Sequence, residues 1–557
     1  MGEESPTPAP SGRPKVAIAA IVVVVIVIIG GLAYYLMTQG GEEESVLVFY
    51  ASTNVLSLDP QDSYDTMSFI PIHNIYDTLI DFPGDEIDSY VGSLATDWDV
   101  SPNGLFYNFT LREDVEFSNG NNFNASDVKF SVERSLAIEN TGISETGVGW
   151  ILTQDLDENS VTIIDEYHVQ FQLTHSYAGF LATIAQQFPL GILDEEYTTD
   201  HYSDDDPLAH EFMKDHPMGT GPYMMESWTP SIETVLVKND RYWKGWDGNH
   251  VDKVIIKEVA EANTRVQALI SGDAHIAEIP YTNIPDVEDE AGVVVDPVST
   301  FQLEMIAMCV NTTRVDHEFM QNAQVRQAFA WAFDYANTSS QYYYGYMDPA
   351  QGAIPNGMPY ETESQPYRAF NFSLGRASEL LNVSGYTLNA QDERFDGEPL
   401  DLYVDEGDTE RIGTAQLYKT NLNRLGIAVE IHQVTSAVLE DVRPTRDWDM
   451  YMTGWVIDYL DPDDYVFPIG ASYDVGGDYF LTGIVNTDVD NATLAAAETN
   501  DADARIENYT AVWQELNEDP NMIFAGQTRY VAFYRDNVQG FMFNPVTWYN
   551  FYFYWLE

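Results

Sequence analysis

The densest chemistry in the chain is a run of four acids, Asp458, Asp461, Asp463 and Asp464, which follows Gly454 and Trp455 and encloses Tyr459 and Pro462. Clustered carboxylates can bind calcium, but the spacing fails as an EF-hand loop. Counted from Asp461, the turn position that needs Gly is Val466, and the position that needs a bidentate Glu is Ser472. Paired carboxylates can also hydrolyse glycosides. With 89 Asp and Glu residues no single pairing is informative, and a surface hydrolase using two carboxylates stays open as an alternative. The zinc signature HExxH is absent. His210-Glu211 and His317-Glu318 each lack the second His one helical turn on. No GxSxG elbow, P-loop or GxGxxG occurs. Cys309 is the single cysteine, so intramolecular disulfides, CxxC motifs and cysteine-based metal centres are excluded; it lies in the apolar run Met305 to Val310 and reads as a small core residue. No metal and no cofactor is expected.

These residues must be positioned by a large chain. At ~150 residues per domain, 557 residues are about three to four domains' worth, and 45% hydrophobic content is ordinary for a globular protein. Aromatics reach 13%; most must be core, and the excess fits an internal aromatic-lined cleft. The formal net charge of -64 repels phosphate backbones, which argues against nucleic acid as a partner, and is read as a solvating shell for a salty exterior.

Strand and helix signals alternate, giving a mixed α/β class. Val46 to Tyr50 reads as a buried strand and Phe106 to Leu111 as another. Asn124 followed by Asp127 resembles a capped helix start, with Val128, Val132 and Leu136 on one face. Helical spacing recurs at Val325, Ala328, Phe329 and Ala332, at Ala415, Tyr418, Leu422 and Leu425, and at Ile506, Tyr509, Trp513 and Leu516. Gly426 stands where a C′ glycine belongs.

No charge interrupts Val16 to Met37, whereas Arg13 and Lys15 precede it. An apolar helix of about 20 residues spans a bilayer. The end of the run is a poor cleavage site, and no Cys is there for a lipid. The expectation is an uncleaved single-pass anchor in the cell membrane, with the rest of the chain on the outer face. Eight Asn-x-Ser/Thr sequons, at Asn108, Asn124, Asn311, Asn337, Asn371, Asn382, Asn491 and Asn508, fit a glycosylated surface protein.

Several segments, in order, resemble the family 5 extracellular solute-binding proteins, the dipeptide- and oligopeptide-binding components of ABC importers. They are Leu58-Asp59-Pro60, Asn74-Ile75-Tyr76-Asp77-Thr78-Leu79, Leu94-Ala95 with Trp98, Leu111-Arg112, Phe117 with Gly120, and Ala125-Ser126-Asp127-Val128. Gly219-Thr220-Gly221-Pro222-Tyr223, Asn239 with Tyr242-Trp243, Val325-Arg326-Gln327-Ala328 and Leu425-Gly426-Ile427 follow. Most of these pieces read as scaffold.

The resemblance implies a two-lobed periplasmic-binding-protein-like (flytrap) fold with an extra domain, and no enzyme. It implies peptide capture by lobe closure and delivery to an ABC permease with its ATPase subunits. Oligosaccharide or a metal chelate is the alternative ligand within the family. The expected layout is a cytoplasmic tail (1–15), the transmembrane anchor (16–37), a tether (38–44), lobe I (45–90, 217–305 and 530–557), an extra domain (91–216) and lobe II (306–529). The segment Gly454-Trp455-Val456-Ile457-Asp458-Tyr459 is similar to the family's cleft motif. By that likeness Asp458 pairs with the ligand's α-ammonium and Trp455 lines a side-chain pocket, with Gly454 and Tyr459 beside them. The rival reading of Trp455 is a core residue after the strand Asp449 to Met452. Asp461, Asp463 and Asp464 are expected to matter little to the ligand. No basic residue falls in a motif that would assign it to the ligand's carboxylate.

Overall fold

A computed structural model describes residues 44–144, 148–472 and 480–557. The expected tail, the anchor and the tether up to residue 43 lie outside the described residues. Among those described, no helix is long and apolar enough to cross a membrane.

Two long strands frame the molecule. Val293–Met308 and Met522–Arg535 pair antiparallel from Val293 opposite Arg535 to Ala307 opposite Met522, and the register breaks between Ser299 and Leu303. An ordinary strand has about 5–6 residues; these have 16 and 14, so each serves two half-sheets. On one side, Ile276–Ala277, Val46–Ala51, Lys253–Glu258, Glu233–Lys238 and Tyr223–Thr229 extend the sheet outward from Met522–Arg535. On the other, Met450–Trp455, Leu400–Asp405 and Val429–Val434 extend it from Val293–Met308. Each half contains parallel pairs, which need crossover connections. The helix Thr409–Arg424 is one of them. It buries Ala415, Tyr418 and Leu422 against the sheet and ends at Gly426, whose φ of 78° is the left-handed geometry that stops a helix. The fold is therefore the mixed α/β, two-lobed one.

A separate antiparallel sheet is built from Ala95–Val100, Phe106–Leu111, His168–Gln172 and Val161–Asp165, in that spatial order. Its inward residues Tyr107, Phe109, Val169 and Phe171 are buried. The helix Ala125–Thr141 lies against it and starts with the capping box that Asn124 and Asp127 announced. One apolar core runs from this sheet to Trp455, Tyr465 and Tyr509 beyond the long strands.

The motif residues meet one another. Asp77 accepts hydrogen bonds from the Thr220 hydroxyl (2.9 Å) and the Trp243 indole (3.0 Å), and Arg112 stacks over the Trp243 ring at 4.0 Å. Gly219 and Gly221 let that backbone touch the end of the helix Thr66–Ile75, where a Cβ would approach the Ile75 carbonyl oxygen to 2.1 Å and its carbon to 2.6 Å. Asp59, from Leu58-Asp59-Pro60, is fully buried and takes Arg134 in a bidentate pair at 3.0 and 2.6 Å, while Arg134 also donates to Gln61 and to the Leu208 carbonyl. Removing one partner of such a pair strands the other in a medium that cannot solvate it. Arg134→Met should therefore cost about 3–5 kcal/mol of stability; a urea-unfolding change below about 1 kcal/mol would contradict that role.

Candidate functional site: a buried carboxylate cluster between the lobes

Met450–Trp455 runs antiparallel to Leu303–Met308, which sets Gly454 directly opposite Glu304. A Cβ at Gly454 would come within 2.5 Å of the Arg411 guanidinium and 2.8 Å of the Leu303 carbonyl, so the glycine makes room for an ion pair. After Trp455 the chain folds back through Pro462 into the helix Asp463–Gly470. Asp464 holds that loop. Its carboxylate accepts the Asp458 backbone N–H at 2.9 Å and the Trp455 indole at 3.3 Å.

Asp458 is 5% exposed, and the Tyr64 hydroxyl, 394 residues away in sequence, donates to it at 2.6 Å. Burial pushes the Asp458 carboxyl up to about 7, and the Tyr64 bond offsets this only in part. Burial, and then the Asp458 charge, pushes Asp464 well up as well.

The rest of the acidic run is buried as well. Asp461 and Asp463 are 5% and 2% exposed, and Asp464 is fully buried. Asp461 accepts from Arg505 at 2.5 Å and from the Tyr509 hydroxyl at 3.3 Å. Asp463 accepts from the Tyr177 and Tyr459 hydroxyls at 3.1 and 3.3 Å, and burial followed by the Asp461 charge lifts it to about 7. These carboxylates are held by partners within the fold, so their amides would report on stability as well as on ligand binding.

Tyr459 is fully buried, with its hydroxyl given to Asp463. Trp455 is 6% exposed and packs edge-on against Phe480 at 5.8 Å. Tyr64, Glu304, Arg411 and Arg505 were missed by motif reading; no local pattern links them to the acidic run. Arg411 donates to Glu304 at 2.8 and 3.3 Å and lies 3.4 Å from Asp408. Beside this ion pair is a cavity of about 370 Å³, lined by Glu304 and Tyr530 from the two long strands, by Tyr281 from the 3-10 helix Tyr281–Asp286, and by Tyr343, Asp408 and Glu410 from helix ends.

The profile of the bacterial extracellular solute-binding proteins, family 5 (middle region), matches residues 89–477. The chain belongs to the family 5 solute-binding proteins. This member is 26% identical over 513 residues to a probable D,D-dipeptide-binding periplasmic protein of Escherichia coli (strain K12), covering 90% of this chain and 92% of that one. It is 28% identical over 495 residues to the di/tripeptide-binding protein 2 of Pseudomonas aeruginosa (strain UCBPP-PA14), covering 85% and 88%. An ABC transporter-associated periplasmic binding protein from Helicobacter pylori, solved in complex with the peptide STSA, has a TM-score of 0.77 over 92% of this chain and 99% of that one at 23% identity, a likeness of fold. Membership places the protein among binders rather than hydrolases.

The buried acids of this solute-binding protein carry a pH signature. A carboxyl raised from 3.8 to about 7 on folding contributes stability that is present below pH 4 and is lost as the pH rises through 7. Asp463→Asn cannot titrate. Relative to it, the wild type should lose stability between pH 4 and 7 by up to about 1.4 kcal/mol per pH unit. Parallel melting-temperature profiles for the two proteins would contradict the raised value.

Proposed function

We propose that the protein captures peptides bearing a free N-terminus in the cleft between its lobes and hands them to an ABC permease. The observation that carries this reading is Asp458, a buried carboxylate with one hydroxyl donor and no side-chain cation paired with it among the described residues. An α-ammonium entering there gains an anionic partner, and an unpaired buried charge of either sign is costly. The relatives named for dipeptides and di/tripeptides support a peptide over an oligosaccharide or a metal chelate. In this reading Trp455, Gly454 and Tyr459 shape the wall behind Asp458. The Tyr64–Asp458 bond is then a closure contact that links the first lobe (45–90, 217–305, 530–557) to the second (306–529), with 91–216 as the extra domain. Binding favours the closed form because the ligand touches both lobes.

The N-terminal run Val16 to Met37 supports an uncleaved anchor that keeps the binder on the outer face of the cell membrane, near its permease, where short tethering raises the effective concentration toward the millimolar range. The sequons support glycosylation of that outer domain. Full-length chain should partition with membranes on fractionation; recovery of soluble mature protein starting near residue 38 contradicts the anchor.

Asp458→Asn tests the clamp by calorimetry. Losing one partner of a buried pair is worth about 3–5 kcal/mol, so peptides with a free N-terminus should weaken by two to three orders of magnitude. N-acetylated peptides, which lack the charge, should change far less. Equal losses for both removes Asp458 from the role of amine clamp.

A further inference from the structure

The cavity beside Gly454 has its own chemistry, which the ammonium clamp at Asp458 does not use. Its charged lining is lopsided: Glu304, Asp408 and Glu410 face one guanidinium, that of Arg411. Arg411, beside the cavity, is paired with two of these acids. Its Nε and Nη2 donate to the two oxygens of Glu304, and Asp408 flanks Nε. Burial pulls the guanidinium's pKa down, but Glu304 and Asp408 more than offset this, so it stays charged and committed to them. Asp408 also caps the helix Thr409–Arg424, accepting the Arg411 backbone N–H at 2.8 Å. With Asp408 at the cap and Glu410 in the first turn, the helix N-terminus already has its anions. An anionic ligand group would meet three carboxylates and no cation among the residues that line the cavity.

Two polar groups at the cavity are left over. Glu410 accepts from the Thr409 hydroxyl through Oε2, while its Oε1 is buried with no partner among the described residues. Burial raises its pKa, and the Thr409 hydroxyl offsets this only in part. Tyr343 is 4% exposed, lines the cavity, and its hydroxyl makes no hydrogen bond among the described residues. Its surroundings include Glu304, Arg411, Asp408 and Glu410. Tyr281, with its ring 5.6 Å from that of Tyr343, adds a second aromatic wall. An unpaired carboxylate oxygen, an unpaired hydroxyl and ring faces suit a ligand group that brings N–H donors and positive charge. We infer that this cavity takes a cationic group of the ligand, an ammonium or guanidinium on a flexible stem, seated against Glu410 and Tyr343. The inference rests on the reading of the interlobe cleft as the ligand site, and it makes the protein selective for basic peptides.

Alanine tripeptides with Lys scanned through the three positions, and matching norleucine and Glu series, test it by calorimetry on the full-length chain. At one position Lys should bind about tenfold or more tighter than norleucine, with Glu weakest. Glu410→Gln should drive that Lys-to-norleucine ratio toward one, and Tyr343→Phe should lower it. A ratio near one at every position in the wild type, or a ratio unchanged in Glu410→Gln, overturns the inference. If no peptide binds, the peptide reading itself fails. Agmatine and spermidine then probe the cavity alone by thermal shift. Stabilisation of the wild type that is lost in Glu410→Gln upholds a cationic pocket; no stabilisation, or equal stabilisation of both proteins, overturns it.

Discussion

A carboxylate taken out of water needs a cation, a set of donors or a proton, and this chain has few cations to give. Against 89 acids stand 25 Lys and Arg. The interior allots them sparingly. Arg134 goes to Asp59, Arg505 to Asp461 and Arg411 to Glu304. Asp463 makes do with two tyrosine hydroxyls, and Asp464 with an indole and a backbone N–H. Asp458 has the Tyr64 hydroxyl. Tyrosine suits this role, since a phenol donates a hydrogen bond to a buried carboxylate without requiring a countercharge. A cleft arranged in this way has a standing electrostatic demand for a ligand that is positive where it meets the wall.

The long antiparallel pair decides where that wall stands. Val293–Met308 and Met522–Arg535 each belong to two half-sheets, and their register breaks between Ser299 and Leu303. Polar side chains hold the backbone there. Gln527 donates to the Thr300 carbonyl and accepts the Asn356 backbone N–H, and the Thr300 hydroxyl donates to the Thr528 carbonyl. Residues flanking the break, Gln302 and Glu304 on one strand and Thr528 and Tyr530 on the other, line the cavity. The register break and the cavity wall therefore share the same stretch of backbone.

The motifs that reveal the family are mostly the means of holding this frame. Asp77, Thr220 and Trp243 come from three separate motifs and converge on one carboxylate, while Asp59 reaches a helix through Arg134. None of these touches the cavity. Their residue types are dictated by the close approach of backbones and by buried polar pairing. The exception is the segment Gly454 to Tyr459, whose Gly454 makes room for the Arg411–Glu304 pair at the edge of the cavity.

Local physics was legible in the chain alone. The 3.6-residue periodicity around Tyr418 and Leu422, the glycine stop at Gly426, the Asn124–Asp127 capping box and the strand Phe106–Leu111 each depend on neighbours within a turn or a strand, and all were readable before folding. Net charge and the single Cys309 excluded whole classes of chemistry. The state of the acidic run was not legible. Four closely spaced aspartates look solvated in a sequence. What buries them is Tyr64, Tyr177, Arg505 and Tyr509, which arrive from 394, 286, 44 and 48 residues away. The same holds for Glu304 and Arg411, 107 residues apart. Backbone propensity is a short-range property of residue types. The charge state and bonding of a carboxylate depend on dielectric and on partners, and the tertiary fold alone supplies both.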